Sequence, residues 1–335
     1  MSLDLSVLDQ SPISEGMTVG DALSNTVDLA RLADRLGFKR YWVAEHHGTA
    51  MLAGTSPEIL IGPIAAATAR LRVGSGGVML PHYSPLKVAE TFNLLSALYP
   101  GRIDLAVGRA AGTDPLTAFA LQRDRRNAAP DDFPEQLVEL LAYVRDGFPA
   151  SHRLARLMPS NLANPLPDPW LLGSSPQSGI WAAELGLPYA FADFIYPGGA
   201  VVAKRYRESF VPSAVLPSPR VIVAAWALCA ETDEEAERLA ASSRMAFARF
   251  LSGDPIRVPP VDTALEFLAQ YPDNLDAVMR RRRAIIGTPS VVRERLEALA
   301  AEYGADEIMV VTITYDHAAR RRSYELLAAE FLKSG

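Results

Sequence analysis

A strand-helix-strand pattern between residues 71 and 114 constrains the fold of this chain more than any other feature. A glycine-rich approach leads into an apolar run that stops at Pro81, and Ser84-Pro85 then provides a helix N-cap with proline at the first helical position. Apolar residues recur at helical spacing until Pro100-Gly101, and the short apolar strand Ile103 to Val107 follows. The segment therefore predicts a βαβ unit in a parallel sheet covered by helices.

The same alternation of apolar strands and amphipathic helices extends along the chain. It favours an α/β fold, a (β/α)8 TIM barrel, as a single domain over residues 1–335. Clustered prolines predict loop insertions near 147–169 and 252–284. An open doubly wound sheet is the alternative, but the first strand lacks a following Gly-x-Gly-x-x-Gly fingerprint. The predicted strands are 3–8, 40–44, 78–80, 103–107, 170–172, 189–192, 220–229 and 307–312.

The composition argues against several classes of partner. A formal net charge of −6 and a pI near 5.5 are not typical of a nucleic-acid-binding protein, and the basic runs at 280–283 and 320–322 are interpreted as solvated faces. The single cysteine, Cys229, lies in an apolar run and is expected to be a buried structural thiol. The sequence has no signal-peptide pattern, and no apolar run approaches the roughly 18 residues of a membrane span. We therefore expect a cytoplasmic protein without a nucleic-acid or membrane partner.

Glycines occur where ligands bind α/β proteins, near the predicted carboxyl ends of strands. Gly74, Gly76 and Gly77 remove side chains where a flat ligand could lie against the backbone. Gly108-Arg109 brings a guanidinium to the end of the next strand, and Gly112 keeps the following loop open. Strand bends and tight loops explain each glycine alone equally well. The combination predicts a binding site.

A second candidate element is the turn Gly173-Ser174-Ser175-Pro176, which joins the fifth predicted strand to a helix. A helix amino terminus offers free backbone amides, and the two serines add hydroxyl groups, so the turn suits a dianion such as a phosphate. Ordinary helix capping by serine, with proline at the helix start, is the alternative interpretation.

Two adjacent histidines, His46 and His47, follow Glu45 at the end of the second predicted strand. Neighbouring residues of a strand point to opposite faces, so one histidine should enter the barrel mouth, where it could exchange protons near neutral pH. The alternative is a histidine whose hydrogen bond holds the loop to Glu58. A zinc site is not expected, because strands five and six end in 173–175 and 192–193, which contain no histidine.

With these motifs in place, the sequence resembles the bacterial luciferase-like flavin monooxygenases. Their order and spacing agree over nearly the whole chain, and the matching stretches are 41–47, 73–81, 100–104, 108–114 and 172–175. The resemblance implies a two-component monooxygenase that receives reduced FMN from a separate flavin reductase and uses dioxygen to oxidise a small organic substrate. Relatives usually form homodimers. A deazaflavin-dependent oxidoreductase on the same fold and a non-catalytic flavin-binding protein are the alternatives.

The resemblance also assigns roles to residues. The first histidine of the Glu-His-His motif assists the reaction at the flavin in similar enzymes, which implies that His46 is catalytic. An arginine matching Arg109 and a hydroxyl matching Ser178 bind the flavin phosphate, and Gly76-Gly77 matches a non-proline cis peptide beneath the isoalloxazine ring. The implied cofactor-binding residues are Gly76, Gly77, Arg109, Gly173, Ser174, Ser175 and Ser178, without a metal ligand.

Two positions depart from luciferase itself. Luciferase has a second phosphate-binding arginine where this chain has Phe133-Pro134, and a cysteine near the flavin where this chain has Gly108. The first departure predicts weaker phosphate binding unless a nearby arginine substitutes; the candidates are Arg123, Arg125 and Arg126. Light emission is not implied. The substrate itself is not encoded in these motifs, because its pocket is expected to be lined by the loops 11–18, 147–169 and 254–261.

Overall fold

A computed structural model describes residues 3–109, 113–126, 131–157, 165–270 and 283–332. The predictions for Gly112 and for the basic residues 280–282 lie outside these ranges, as do residues 158–164 and 271–282 of the two insertions. Within them the structure has nine parallel strands: β1 Asp4–Asp9, β2 Arg40–Val43, β3 Arg72–Met79, β4 Ile103–Gly108, β5 Asp168–Gly173, β6 Tyr189–Ala192, β7 Val221–Cys229, β8 Ala284–Gly287 and β9 Glu307–Val311.

Eight of these strands close a parallel barrel. Strands β1 to β7 follow one another around it, and β9 lies between β7 and β1. The predicted TIM barrel is therefore confirmed. The ninth strand, β8, pairs only with Trp226–Cys229 at the end of β7. Sequence reasoning assigned this segment to the second insertion and to the approach of a helix. It forms a strand because β7 extends beyond its four-residue pairing with β6, and backbone groups left at such an edge require partners.

Helices alternate with the barrel strands along the chain, and additional short helices lie in the insertions. The α-helices are α1 Val19–Leu36, α2 Pro57–Ala66, α3 Pro85–Leu98, α4 Pro115–Leu121, α5 Phe133–Leu141, α6 Pro176–Glu184, α7 Ala200–Glu208, α8 Asp233–Leu251, α9 Val261–Gln270, α10 Pro289–Tyr303 and α11 His317–Phe331. Helix α5 continues beyond Leu141 as a short π-helix over Ala142–Asp146. Helix α4 was not predicted, although Asp114 caps it by accepting from the amides of Leu116 and Thr117.

Local sequence explains how the first helix is bounded. The Thr18 hydroxyl accepts from the Asp21 amide at 3.2 Å, and the Asp21 carboxylate accepts from the Thr18 amide at 2.8 Å, which forms a capping box. The helix ends at Gly37, whose φ of 88° lies in the left-handed region that glycine adopts without a side-chain clash. Helix α1 therefore has a defined start and end, and its buried face covers the barrel beside α11.

The floor of the barrel is closed by buried ion pairs. Arg40 Nη1 lies 2.7 Å from Asp104 Oδ2, and Arg40 Nε lies 3.1 Å from Glu307 Oε1, with all three side chains almost fully buried. Arg72 and the Trp42 indole also donate to the Asp104 carboxylate, at 2.6 Å and 2.9 Å. Burial opposes ionisation of Asp104, but the Arg40 and Arg72 guanidinium groups outweigh it and hold the pKa of this carboxyl below its ordinary value. The buried charges are thus paired with one another at the floor of the barrel, and the opposite end of the barrel stays open.

In the part of the chain that the structure describes, no helix is long and apolar enough to cross a membrane.

Candidate active site

A cavity of about 270 Å³ lies at the carboxyl end of the barrel strands. Small residues at the ends of four strands leave this space open, since each would otherwise extend a side chain into it. They are Ala44 after β2, Ala190 and Ala192 on β6, Ala224 on β7, and Gly76 on β3. The cavity is therefore a consequence of small residues at the inward positions of the upper barrel.

Gly74, Gly76 and Gly77 lie within β3, whereas the sequence pattern placed all three in an approach to a shorter strand. The strand begins earlier because its glycines pair in register with β4, with a shift between Gly76 and Val78. An added Cβ would lie 2.5 Å from Leu8 Cδ1 at Gly76, and 2.5 Å from Leu172 Cδ2 at Gly77. Close packing thus excludes side chains here. The Gly76–Gly77 peptide bond is cis, which confirms the geometry that the resemblance implied.

The candidate phosphate-binding residues come together at one end of the cavity. Gly173, Ser174, Ser175 and Ser178 line it with Arg109. The Arg109 guanidinium lies over the Trp181 ring at 5.4 Å, and its Nη1 is 4.0 Å from Asp131 Oδ2. Because 45% of this side chain is exposed, Arg109 remains accessible to an anion. The arrangement joins a cation from β4 to the amino terminus of α6.

The serines of this turn also cap the helix, so the alternative interpretation is correct in part. Ser175 is the N-cap of α6, and its hydroxyl accepts from the Ser178 amide at 3.4 Å. The Ser178 hydroxyl donates to the Ser175 carbonyl at 2.7 Å. Gly173 makes room for it, since a Cβ at this position would lie 2.5 Å from Ser178 Oγ. Ser174 and Arg109 also line the cavity and take no part in this cap, so capping leaves both side chains available to a ligand.

Two aromatic side chains, Phe133 and Trp181, line the cavity near the position where luciferase has its second arginine. Phe133 lines the cavity, and its ring centroid lies 5.3 Å from that of Trp181. Sequence reasoning missed Trp181, although it follows Ser178 by three residues and therefore shares a face of α6. Of the candidate substitutes, Arg123 pairs with Asp132, Arg125 donates to the Ala120 carbonyl, and Arg126 pairs with Asp124. None of the three lines the cavity as far as the structure describes the chain.

His46 lines the cavity, and it is the histidine of the pair whose Nδ1 atom has no hydrogen-bond partner among the described residues. Its backbone amide donates to the Gly54 carbonyl at 2.8 Å, whereas its buried Nδ1 atom has no hydrogen-bond partner among the described residues. Burial, reinforced by the neighbouring His47, lowers the pKa of His46 to about 4. The imidazole is therefore neutral at pH 7.

His47 is held by Glu45, so the alternative interpretation was wrong in naming Glu58 as the partner. His47 Nε2 lies 2.8 Å from Glu45 Oε1, and the Tyr83 hydroxyl donates to the same oxygen at 3.1 Å. The other carboxylate oxygen accepts from the Met79 amide at 2.9 Å. Glu45 is closer to His47 in the chain than Glu58 is, and its carboxylate also bonds to the end of β3. These two facts explain why His47 pairs with Glu45. Its carboxylate joins the ends of β2 and β3 beside the cavity.

A second, outer cavity of about 600 Å³ adjoins the first. Gln10, His46, Phe194 and Ile195 line both, so His46 stands where the two spaces meet. Aromatic and aliphatic side chains dominate the outer wall, among them Met51, Leu52, Trp226, Phe247, Phe250 and Ile313. Sequence reasoning missed this wall, because much of it comes from the end of β7 and from the inner face of the long helix α8.

The loops expected to line a substrate pocket contribute little. Pro255 of the loop 254–261 lines the outer cavity, whereas the loop 11–18 and the described part of 147–169 line neither cavity. The first loop is tied down by bridges from Pro12 to Leu52 and from Ser14 to Val258. The backbone of this loop thus packs behind Leu52, which lines the outer cavity. Within the described residues, no group of three or more histidine, cysteine, aspartate or glutamate side chains is arranged to bind a metal ion.

Curated relatives match the chain over nearly its full length. The uncharacterized protein YwcH of Bacillus subtilis strain 168 is 46% identical over 332 residues, which cover 98% of this chain and 99% of that protein. The N-acetyl-S-alkylcysteine monooxygenase of the same organism is 40% identical over 327 residues, which cover 97% of each chain. Among solved structures, apo-MsnO8 has a TM-score of 0.88 at 42% identity and covers 99% of this chain and 98% of its own.

More distant structures share the fold alone. They include the FMN complex of the oxygenating constituent of 3,6-diketocamphane monooxygenase from Pseudomonas putida, with a TM-score of 0.71 at 21% identity, which covers 99% of this chain and 98% of its own. They also include an F420-dependent secondary alcohol dehydrogenase, with a TM-score of 0.66 at 14% identity, which covers 98% of this chain and 99% of its own. Proteins with this fold thus include an FMN complex and an F420-dependent enzyme.

A family model for luciferase-like monooxygenases matches residues 3–307 and so spans strands β1 to β8. This match and the full-length relatives agree with the strand-end motifs described above. The chain belongs to the luciferase-like monooxygenase family of oxidoreductases.

Proposed function

We propose that this enzyme is a two-component flavin-dependent monooxygenase, which takes up reduced FMN from a separate flavin reductase and uses dioxygen to oxidise a small organic substrate. The observation that carries the proposal is that Arg109, the serine-rich start of α6 and neutral His46 line one cavity. Reduced FMN, when bound, supplies the electrons that activate dioxygen. The protein supplies binding, orientation and exclusion of water.

In this proposal, different residues of the inner cavity bind the phosphate and the ring system of the flavin. Arg109 and the amino terminus of α6 bind the phosphate, where a guanidinium gives a charge-assisted hydrogen bond. We assign Gly76, which lines the cavity, and its neighbour Gly77 to the part of the site that borders the ring system. The imidazole of His46 is neutral at pH 7, so it can donate one hydrogen bond and accept another, and its low pKa favours the return of any proton that it accepts; we assign it the acid-base role. Its unpartnered Nδ1 supports this role, since a structural histidine normally has that atom hydrogen-bonded.

We further propose that the outer cavity accepts the organic substrate. His46 borders both cavities, so a substrate there would lie next to the group that handles the proton. Trp226, Phe247 and Phe250 favour an apolar alkyl portion. The similar N-acetyl-S-alkylcysteine monooxygenase is named for a substrate that carries an alkyl group, which supports this class of molecule. Phe247→Ala should then raise KM for such a substrate without changing the affinity for FMN.

We propose that the chain forms one domain, acts as a homodimer and works in the cytoplasm. Support for the dimer comes from an exposed apolar surface on the neighbouring helices α2 and α3, where Ile59, Leu94 and Leu98 are 68%, 65% and 69% exposed. Replacement of Leu94 by glutamate should shift the molar mass measured by light scattering from two chains to one. An unchanged dimer would assign the contact to another surface.

Equilibrium titration without oxygen tests the cofactor. We expect reduced FMN to bind at least tenfold more tightly than a reduced deazaflavin. The reverse order would favour a deazaflavin-dependent oxidoreductase, the alternative that the fold also permits. Binding of flavin without any oxidation of candidate substrates would favour a flavin-binding protein, against which neutral, cavity-facing His46 argues.

A further inference from the structure

The phosphate site proposed above has a buried tyrosine behind it. The Tyr189 hydroxyl on β6 lies 2.9 Å from the Ser178 hydroxyl on α6. Tyr189 is 0% exposed and Ser178 is 6% exposed, so both groups are shielded from bulk water. Ser178 nevertheless lines the cavity, whereas Tyr189 does not. The Ser178 hydroxyl is therefore the hydrogen-bonding contact through which the tyrosine can affect a bound ligand.

Counting hydrogen atoms fixes the direction of this hydrogen bond. A serine hydroxyl has one hydrogen, and that of Ser178 is donated to the Ser175 carbonyl at 2.7 Å. Tyr189 must then donate its own hydrogen to Ser178 Oγ, which is the one partner of the phenol among the described residues. Burial holds the pKa of Tyr189 above its ordinary value, so the phenol keeps its hydrogen across the physiological range.

This arrangement matters when an anion arrives. To donate to a phosphate oxygen, the Ser178 hydrogen must turn away from the Ser175 carbonyl, which rotates the hydroxyl but leaves the oxygen in place. The hydrogen bond from Tyr189 survives that rotation and polarises the serine hydroxyl, which strengthens it as a donor. Without Tyr189 the oxygen would lose the contact that holds it while its hydrogen moves.

We propose that Tyr189 is a positioning residue of the phosphate site, which holds Ser178 Oγ from behind while the serine hydrogen turns from the Ser175 carbonyl to a phosphate oxygen. The inference rests on the proposed function, because it requires that the cofactor carry a phosphate. It makes selectivity for FMN over riboflavin depend on a residue that cannot touch either ligand.

The test compares the affinities of reduced FMN and reduced riboflavin, measured without oxygen, in Tyr189→Phe. Phenylalanine keeps the ring and its packing against Tyr206, whose centroid is 5.4 Å away. We expect FMN to bind about 2- to 10-fold more weakly, which corresponds to one neutral hydrogen bond, and riboflavin to bind as in the wild type.

The matched control is Tyr206→Phe. Tyr206 is 1% exposed and belongs to the same aromatic cluster, but its hydroxyl donates to the Leu187 carbonyl at 2.8 Å and has no contact with Ser178. We expect this variant to lose stability without changing the ratio of the two affinities. An equal change of that ratio in both variants would show a general effect of the cluster and would overturn the inference.

Ser178→Ala supplies a second measurement of FMN selectivity, and this one does not depend on whether the Tyr189→Phe variant folds. If Tyr189 acts through Ser178, Ser178→Ala should weaken FMN selectively, and adding Tyr189→Phe to it should cause no further loss of selectivity. Full additivity of the two effects would contradict the inference. Ser178→Ala without any selective loss would also contradict it.

Arg109→Ala separates failure of the inference from failure of the proposed function. If Arg109→Ala weakens FMN selectively but Tyr189→Phe does not, the phosphate site stands and the role of Tyr189 is refuted. If wild type and Arg109→Ala both bind FMN and riboflavin equally, the phosphate site is wrong, and the role of Tyr189 is refuted with it.

Discussion

Glu45 Oε1 lies 2.8 Å from His47 Nε2, and this contact turns one histidine of the pair away from the role that the other can play. With His47 held at the ends of β2 and β3, His46 alone borders both cavities with an unpartnered Nδ1. The two adjacent histidines after β2 therefore differ in their contacts: Glu45 holds His47, whereas Nδ1 of His46 has no partner among the described residues.

Glu45→Gln should lower the free energy of unfolding by about 1–3 kcal/mol. The carboxylate accepts from His47, Tyr83 and the Met79 amide, whereas a glutamine amide has a single acceptor oxygen and would direct its NH2 group at one of these donors. Urea unfolding monitored by circular dichroism measures the change. Glu90→Gln, on the exposed side of α3, is the control and should change stability by less than about 0.5 kcal/mol. Equal effects would remove Glu45 as a support of the site.

The pH dependence of stability should report the environment of His46. Its pKa falls from 6.5 in the unfolded chain to about 4 in the folded protein, so between these values the unfolded state binds a proton that the folded state does not. Stability contributed by neutral His46 is therefore full above pH 6.5 and is lost as the pH falls toward 4, by up to about 3 kcal/mol.

The His46→Gln variant isolates this contribution, because glutamine does not titrate. The difference in unfolding free energy between wild type and variant, measured by urea titration from pH 7 to pH 4, should shrink or reverse as the pH falls. Parallel curves for the two proteins would show that His46 has an ordinary pKa.

Arg109→Ala should weaken reduced FMN by roughly 10- to 150-fold and leave reduced riboflavin nearly unchanged, since a charge-assisted hydrogen bond contributes about 1.5–3 kcal/mol. The expected loss is large because Phe133 lines the site where luciferase has a second arginine, and Arg123 is paired with Asp132. Calorimetric titration under anaerobic conditions measures both ligands. A proportional loss for FMN and riboflavin would instead indicate a general disturbance of the barrel.

Asp104→Asn should destabilise the barrel by about 3–5 kcal/mol, because it leaves the buried Arg40 side chain with one carboxylate fewer to pair with. Denaturant unfolding measures this loss. The FMN affinity of the fraction that remains folded should stay within about twofold of wild type, since the floor lies at the opposite end of the strands. A large change in affinity with little change in stability would contradict the separation of floor and site.

The repeating pattern of the chain was sufficient to predict the barrel. Alternating strands and helices with proline and glycine at their ends specified the eight barrel strands, and the segment 71–114 is a βαβ unit in the structure. Strand β8 could not be predicted, because a four-residue apolar run has no distinctive period and forms only where β7 extends past β6. Helix α4 was missed because its seven residues are too few to display helical periodicity.

Prediction of the site succeeded where residues follow strand ends and failed where tertiary packing decides. The helix-start signal placed Ser174 and Ser175 beside Arg109. Strand alternation did not separate the two histidines, because both follow β2 and both line the outer cavity. The alternative partner Glu58 is not the one that His47 contacts, since only the fold decides between Glu45 and Glu58. Trp226 and Phe247 were missed because helical and strand periods mark them as core residues, and the outer cavity exists only after α8 packs on β7.

Rapid mixing with oxygen tests the central claim most directly. The protein is saturated with reduced FMN without oxygen and then mixed with oxygenated buffer, and absorbance is followed against free reduced FMN. Monooxygenase function predicts that the complex forms a transient absorbance before the spectrum of oxidised FMN appears, and that His46→Ala slows substrate oxidation by about 10²-fold while it retains FMN binding. Oxidation of bound FMN with the time course of free FMN, or binding of a reduced deazaflavin with no binding of reduced FMN, would contradict it.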